Sequence, residues 1–484
     1  MSPPAARQTA RDVPQAAVVG AAVALVVTVP LVPVAAVSGS VTLASSLLAV
    51  YGAGLFLLTL RWPPLGVVGL LAALPLVTIE IGVGDLDRTV SADKVALAAV
   101  VLGWLARRGR EALPAALRHP LLGWWLALLG IVVVSEVARG AGFRQAWGIA
   151  RHAIPALVFF AAADVLASPR VRAQAVMFAA AAGTAVALLA VAEWGLVAGG
   201  IHSPMFFKTG TLGDEQKFGA TISHVNYLAA YLVIVLAVLA AAAAAATGRT
   251  RRMAVVAMAA PLAALVYADS AGSAVALVAG VVFAGALALG RGRSRRVAIG
   301  LAVAVAAVSA LGLAAAVSTF GLAHGSVASR IASHRIGFAA IAERPVLGFG
   351  DKGFARESGR LEREVFGAPQ AHLHPPDAVL PAHSSYLQMA VEHGVPGLVA
   401  FVGLLAAVLA RGARRFLSGQ GAGAVAALAL VSGLFAFCVQ ALVESLFEYS
   451  KVAAIFWILA AACVAPRESP DAASAGVAGG RRVA

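Results

Sequence analysis

The chain has 484 residues, 61% of them hydrophobic and 12% charged, with a mean hydropathy of +0.88. Soluble domains carry about 25% charged residues, so this composition excludes an ordinary soluble domain and points to lipid as the solvent. The net charge of +14 would suit nucleic acid, but it lies in short links between apolar runs, which argues against that partner.

In chain order, about fourteen apolar runs fall near 16–36, 42–60, 64–80, 92–106, 121–138, 154–167, 174–198, 225–246, 253–268, 271–290, 297–318, 396–411, 422–443 and 450–465. Most approach the length that crosses a bilayer core of about 30 Å. The expectation is an all-α integral membrane protein, residues 1–484 forming one polytopic domain of about 14 (12–14) transmembrane helices. The N-terminus "MSPPAARQTARDVPQ" is polar and basic and shows no cleavage pattern, so the first span reads as retained.

Basic links alternate with the runs: "RRGREALPAALRH", "SPRVRAQ", "TGRTRR", "GRGRSRR" and "RGARR". With Arg61 and both tails, that side collects 22 of the 37 Lys+Arg and 4 of the 23 acids. By the positive-inside rule it is the cytoplasmic side, which places both termini there, including a tail at 466–484. Cys438 and Cys463 lie inside apolar runs and read as small core residues, with no disulfide or metal spacing.

The other side then carries a small loop at 199–224 and a large one at 319–395, and loops of that size are usually functional. Nine of the ten histidines, all but His119, fall on or near it. Within the large loop, "SRIASHRIGFAAIAER" is helix-compatible: Ser329 as cap, Pro345 as stop, and Ile331, Phe338, Ile341 and Ala342 as its apolar stripe. "PVLGFGDKGF" permits tight turns through Gly348 and Gly350. "ARESGRLERE" reads as a solvated charged face, so Arg344, Arg356, Arg360 and Arg363 are expected in exposed pairs. "HLHPPD" (His372, His374, Asp377) reads as an irregular turn rather than a metal site.

The stretch "AHSSYLQMAVEHGVPG" follows. Ser384 or Ser385 can cap a two-turn helix, Gly394 suits its C-terminal positive-φ position, and Pro396 fits the first turn of the next span. His383 therefore sits at phosphate depth near the outer interface, either as a capping histidine or as a chemical group. Asn226 can equally bind substrate or cap a helix, and Tyr386 and Glu392 can equally serve packing, a salt bridge or chemistry. Arg330 and Arg335 are five residues apart, about 140° around a helix, so a regular helix turns only one toward a given phosphate. Of the acids within spans, Asp164 and Glu193 are the most awkwardly placed and would suit a transporter.

These residues resemble the O-antigen ligase/polymerase superfamily of bacterial glycan-transferring membrane proteins. The most specific pattern is His383-Ser384, nine residues, Gly394, two residues, Gly397. "ISHVNYLAAYLVIVL", with Asn226 and Tyr227, is similar to a family segment entering a span, and "SRIASHRIGFAAIAERPVLGFGDKGF" to its arginine helix followed by a glycine turn. The similarity is strongest over about 205–450. One departure is "YADSAGSAV", where Ala271 stands in place of an arginine common in the family.

The resemblance implies transfer of a glycan from a polyprenyl-diphosphate carrier to a glycan or lipid acceptor, at the outer face of the inner membrane, with no cofactor and no metal. His383, Arg335 and Arg330 would be catalytic, with Arg335 favoured over Arg330 as the donor's cation. Asn226, Tyr227, Ser384 and Tyr386 would contact substrate, and Gly348, Gly350, Gly394 and Gly397 would shape the backbone. The competing expectations are a transporter for a small anion or a lipid-linked sugar, and a non-enzymatic assembly partner.

Overall fold

The structure, a computed structural model, describes residues 41–75, 80–82, 89–140, 142–199, 209–212, 215–218, 220–222, 224–291, 300, 325–367 and 382–465. The runs predicted at 16–36 and 297–318, the tail 466–484, and His372, His374 and Asp377 lie outside these residues.

Helices dominate: α1 (Val41–Arg61), α2 (Pro63–Ala73), α3 (Ala92–Leu117), α4 (Leu122–Val137), α5 (Phe143–Val165), α6 (Pro169–Ala198), α7 (Val225–Ala245), α8 (Gly248–Ala257), α9 (Ala259–Ala268), α10 (Ala271–Gly290), α11 (Gly325–Glu343), α12 (Gly353–Phe366), α13 (Ser385–Leu417), α14 (Gly421–Gln440) and α15 (Ser450–Val464). The all-α expectation holds, with two short antiparallel hairpins added, pairing β1 (Glu80–Gly82) with β2 (Thr89–Ser91) and β3 (Thr209–Leu212) with β4 (Glu215–Phe218). Both lie between helices, where a short link closes more readily as a hairpin than as a helix.

Among the described residues, seven helices are long and apolar enough to cross a membrane: α5, α6, α7, α8 with α9 as one run, α10, α13 and α14. Shorter apolar helices occupy Ser45–Arg61, Leu122–Val137 and Ser450–Val464. The chain is a multi-pass membrane protein.

α7 lies at the centre, packed against α14, α6, α9 and α8. Its alanines let neighbours approach closely. A Cβ on Gly433 of α14 would come within 2.3 Å of Ala237, so that crossing depends on the missing side chain.

α11 starts at Gly325, a turn before the Ser329 expected as its cap. Its buried face is also not the predicted stripe. Ala332, Ile336 and Ala340 are buried, whereas Phe338 is 64% exposed. The reason is the partner: α11 lies on the first turns of α13, and Ile336 joins Leu387, Val391, Phe349 and Phe354 in a small separate core.

The acids that would suit a transporter have structural partners. Trp104 Nε1 donates to Asp164 at 2.9 Å and Arg108 pairs with it at 2.8 Å. Glu193 accepts the backbone N–H of Ala220 at 3.0 Å.

Candidate active site

The motif stretch is shaped by its backbone. His383 takes a left-handed conformation with φ +48°, uncommon for a non-glycine residue though less so for histidine. Ser384 then caps α13, its Oγ accepting the N–H of Leu387 at 3.3 Å. Ser385 N donates to the carbonyls of Ala441 (3.0 Å) and Glu444 (3.2 Å), and its Oγ to Glu444 O at 3.1 Å. The motif is thus tied to the corner between α14 and α15.

α13 bends at His393 and Gly394, two non-helical residues. Gly394 has φ +70° and ψ −178°, a region essentially reserved for glycine. A Cβ there would sit 2.1 Å from the carbonyl oxygen of Val346. Val395 N donates to Pro345 O at 2.8 Å, Phe349 N to Val391 O at 2.7 Å and Gly350 N to Glu392 O at 2.7 Å. Gly348, with φ +58°, lies where a Cβ would meet the backbone of Val391 and Glu392, the last helical residues before the bend, at 2.5 Å. The glycine turn at 348–350 and the bend of α13 are therefore one interlocked unit. Gly350 and Gly397 are tight in turn against Arg139 and His393, at 2.8 and 2.6 Å for a Cβ.

Around His383 the structure gathers Arg330, His224 and His334. Burial, then the positive charge of Arg330, then the two histidines push its imidazole down to about 3, so it is neutral near pH 7. Arg330 Nη2 donates to Glu444 Oε1 at 2.7 Å, and Asn226 Nδ2 donates to the same oxygen at 2.6 Å. One buried carboxylate thus orients a guanidinium from α11 and an amide from α7. Burial raises Glu444 above the usual carboxylate range, opposed by Arg330. His224, not Asn226, caps α7, its Nδ1 accepting the N–H of Asn226 at 3.2 Å. His334 Nδ1 lies 2.7 Å from the carbonyl of Arg330.

The remaining predicted residues separate. Arg335 is exposed and turned away from Arg330, as their spacing on a regular helix requires. The Tyr386 hydroxyl donates to Cys438 O at 2.8 Å, so it joins α13 to α14. Tyr227 stacks on Tyr449, ring centroids 4.9 Å apart. Of the loop arginines, Arg360 makes the expected exposed pairs with Glu343, Glu357 and Glu364 at 2.7–2.9 Å. Arg356 departs from that expectation: it donates to the backbone carbonyls of Asp351 and, at 2.8 Å, Phe349, because the tight turn aims those oxygens at it.

A second cluster lies behind the bend. Arg151 of α5 meets Asp351 at 2.8 Å, Glu392 at 2.6 Å, and Glu448. Gln388 Nε2 donates to Glu392 Oε1 at 2.5 Å, and Glu136 Oε1 accepts the N–H of Asp351 at 2.6 Å. Sequence reasoning left Glu392 open between packing, a salt bridge and chemistry, and counted Glu444 and Glu448 among the span acids that need partners. The partners, Arg151 and Arg330, are 241 and 114 residues away from Glu392 and Glu444 respectively.

No curated protein matches the chain. Residues 253–402 match the family model described as O-Antigen ligase. The matched segment holds His383, Arg330, Gly348, Gly394 and Gly397, whereas Asn226, Glu444 and Arg151 complete the site from outside it. Over that segment the chain is similar to the O-antigen ligase family, which supports the resemblance to the O-antigen ligase/polymerase superfamily.

Proposed function

We propose that the protein is a glycosyltransferase that moves a glycan from a polyprenyl-diphosphate carrier to an acceptor hydroxyl, as a ligase or a polymerase in cell-surface polysaccharide assembly. The observation that carries this reading is the meeting of His383 and Arg330 beside a carboxylate that fixes Arg330 and Asn226 together. The acceptor oxygen attacks the anomeric carbon while the bond from that carbon to the diphosphate oxygen breaks. The bonding electrons leave with the diphosphate, and the acceptor's proton passes to a nitrogen of His383.

Arg330 stabilises the negative charge that develops on the leaving diphosphate, which lets the reaction proceed without a metal. Its charge, with burial, also makes His383 a weak base when no donor is bound. A diphosphate bound beside Arg330 offsets that charge and raises the proton affinity of His383, so the base strengthens when the donor is loaded. The basic links support a site on the non-cytoplasmic side of a bacterial inner membrane, with both termini cytoplasmic.

The test is transfer in proteoliposomes supplied with a polyprenyl-diphosphate glycan, with a lipid acceptor in one arm and a second carrier-linked repeat unit in the other. The arm that yields product separates ligase from polymerase. General-base loss lowers rates by about 10²–10⁴-fold, so His383→Ala is expected to fall by at least two orders of magnitude at normal expression. Undiminished transfer by that variant would overturn the site, and solute flux without transfer by the unaltered protein would favour a transporter.

A further inference from the structure

At the end of the molecule away from His383 lies a cavity of about 470 Å³ between α6, α7 and α14, closed at one side by Ala462 of α15. That volume is within the range of about 300–1,000 Å³ that small organic ligands occupy. Its walls are Val176, Met177 and Leu430 with alanines of α6, α7 and α14. Alanine has no rotamers, so along the alanine walls the helix backbones set the width of the slot. Such an apolar slot in a membrane protein suits hydrocarbon.

Its rim is different in kind. Arg172, Thr247, Thr250 and Arg415 stand at the mouth. Three turns converge there, 166–174, 246–252 and 411–423. Together they carry Arg170, Arg172, Arg249, Arg251, Arg252, Arg411, Arg414 and Arg415 and not one Asp or Glu. The N-termini of α6, α8 and α14 lie in these same turns, and neither Thr247 nor Gln420 forms a side-chain cap on its helix. Uncapped helix N-termini present backbone N–H donors to anions. Arg172 and Arg415 are held at the rim by donating Nη1 to Leu166 O at 3.1 Å and Ala462 O at 2.9 Å.

An apolar slot opening into a ring of guanidiniums, hydroxyls and helix N-termini matches one ligand class. We propose that this is a binding site for an anionic phospholipid, its acyl chain in the slot and its phosphate at the mouth. The 22 residues from Pro396 to the end of α13 span about 33 Å, so the site lies about a bilayer thickness from the His383 end, in the leaflet on the basic side. Net negative headgroups are favoured there by about 1 kcal/mol per nearby cation. The chain's own segment 466–484 is the poorer occupant on charge, because its three arginines outnumber its two acids.

The experiment uses the full-length protein, delipidated in neutral detergent, titrated separately with phosphatidylglycerol, phosphatidylethanolamine and inorganic phosphate. Native mass spectrometry reads stoichiometry and thermal unfolding reads affinity. A one-to-one phosphatidylglycerol adduct that raises Tm by several degrees is expected, at least fivefold tighter than phosphatidylethanolamine and weakened by salt, with no comparable effect of inorganic phosphate. Ala426→Phe, which fills the slot, and Arg249→Glu, an exposed change in the turn that carries Thr247 and Thr250, are each expected to weaken the adduct at least fivefold. Equal binding of the two lipids, unchanged binding in both variants, or equal stabilisation by phosphate alone would overturn the site. Tighter lipid binding after deletion of 466–484 would overturn it too, by making that segment the occupant.

Discussion

Replacing Glu444 separates a site that is organised by one carboxylate from one that merely contains it. The Arg330 and Glu444 side chains are 19% and 6% exposed and 2.7 Å apart. Removing one partner of a buried ion pair costs about 3–5 kcal/mol, and the residual exposure of Arg330 reduces that to about 2–4 kcal/mol. If that loss falls on the geometry facing the leaving group, Glu444→Ala lowers kcat/KM for transfer by about 30- to 1,000-fold, at 1.36 kcal/mol per tenfold. Glu444→Gln keeps an oxygen that accepts from both Arg330 and Asn226 and loses only the charge. Charge-assisted bonds contribute about 1.5–3 kcal/mol against about 0.5–1.5 for neutral ones, a difference of about 1–1.5 kcal/mol, so the Gln variant is expected to lose about 5- to 13-fold. The assay is initial-rate transfer in proteoliposomes, with thermal unfolding measured beside it. Full transfer by Glu444→Ala while Arg330→Ala is inactive would refute the positioning role.

The two arginines of α11 are expected to behave unequally: Arg330→Ala abolishes transfer, and Arg335→Ala, on an exposed position, leaves it within a few-fold. The reverse ranking in the same assay would move the donor site to the other face of α11. Gly394→Ala combines a backbone region costing about 1–3 kcal/mol with an overlap costing about 1–3 kcal/mol, so a lower Tm by about 2–6 kcal/mol equivalent is expected from thermal unfolding in detergent. For pH, His383 is held at about 3 against its ordinary 6.5. Between those values the unfolded chain takes up the proton and the folded chain does not, so stability falls as pH drops from 6.5 toward 3. Thermal unfolding across that window is expected to slope less steeply for His383→Gln than for the unaltered protein.

Much of the frame was legible because its signals are local. The cap at Ser384, the bend at Gly394 and the stop of α11 before Pro345 depend on neighbours within a few residues, and each stands in the structure. That Arg330 rather than Arg335 pairs with a buried acid was not legible, because it depends on where Glu444 arrives from the far end of the chain. The predicted stripe on α11 failed for a related reason. Periodicity says that a helix has a buried face, but Leu387 and Val391 decide that it is the one with Ile336. His224 was passed over as a cap because histidine seldom serves as one, and the signal that could have found it is the N–H of Asn226, which needs an acceptor at the helix start.

The ring of carboxylates around Arg151 limits how this protein can be divided or recombined. Asp351 and Glu392 belong to the family-matching segment, while Arg151 precedes it by about a hundred residues. A chimera that transplants only 253–402 into another scaffold would bury two acids with no cation among them. α5 therefore has to travel with that segment, or both acids have to be neutralised in the same step. The smallest exchangeable piece of this molecule is discontinuous in sequence.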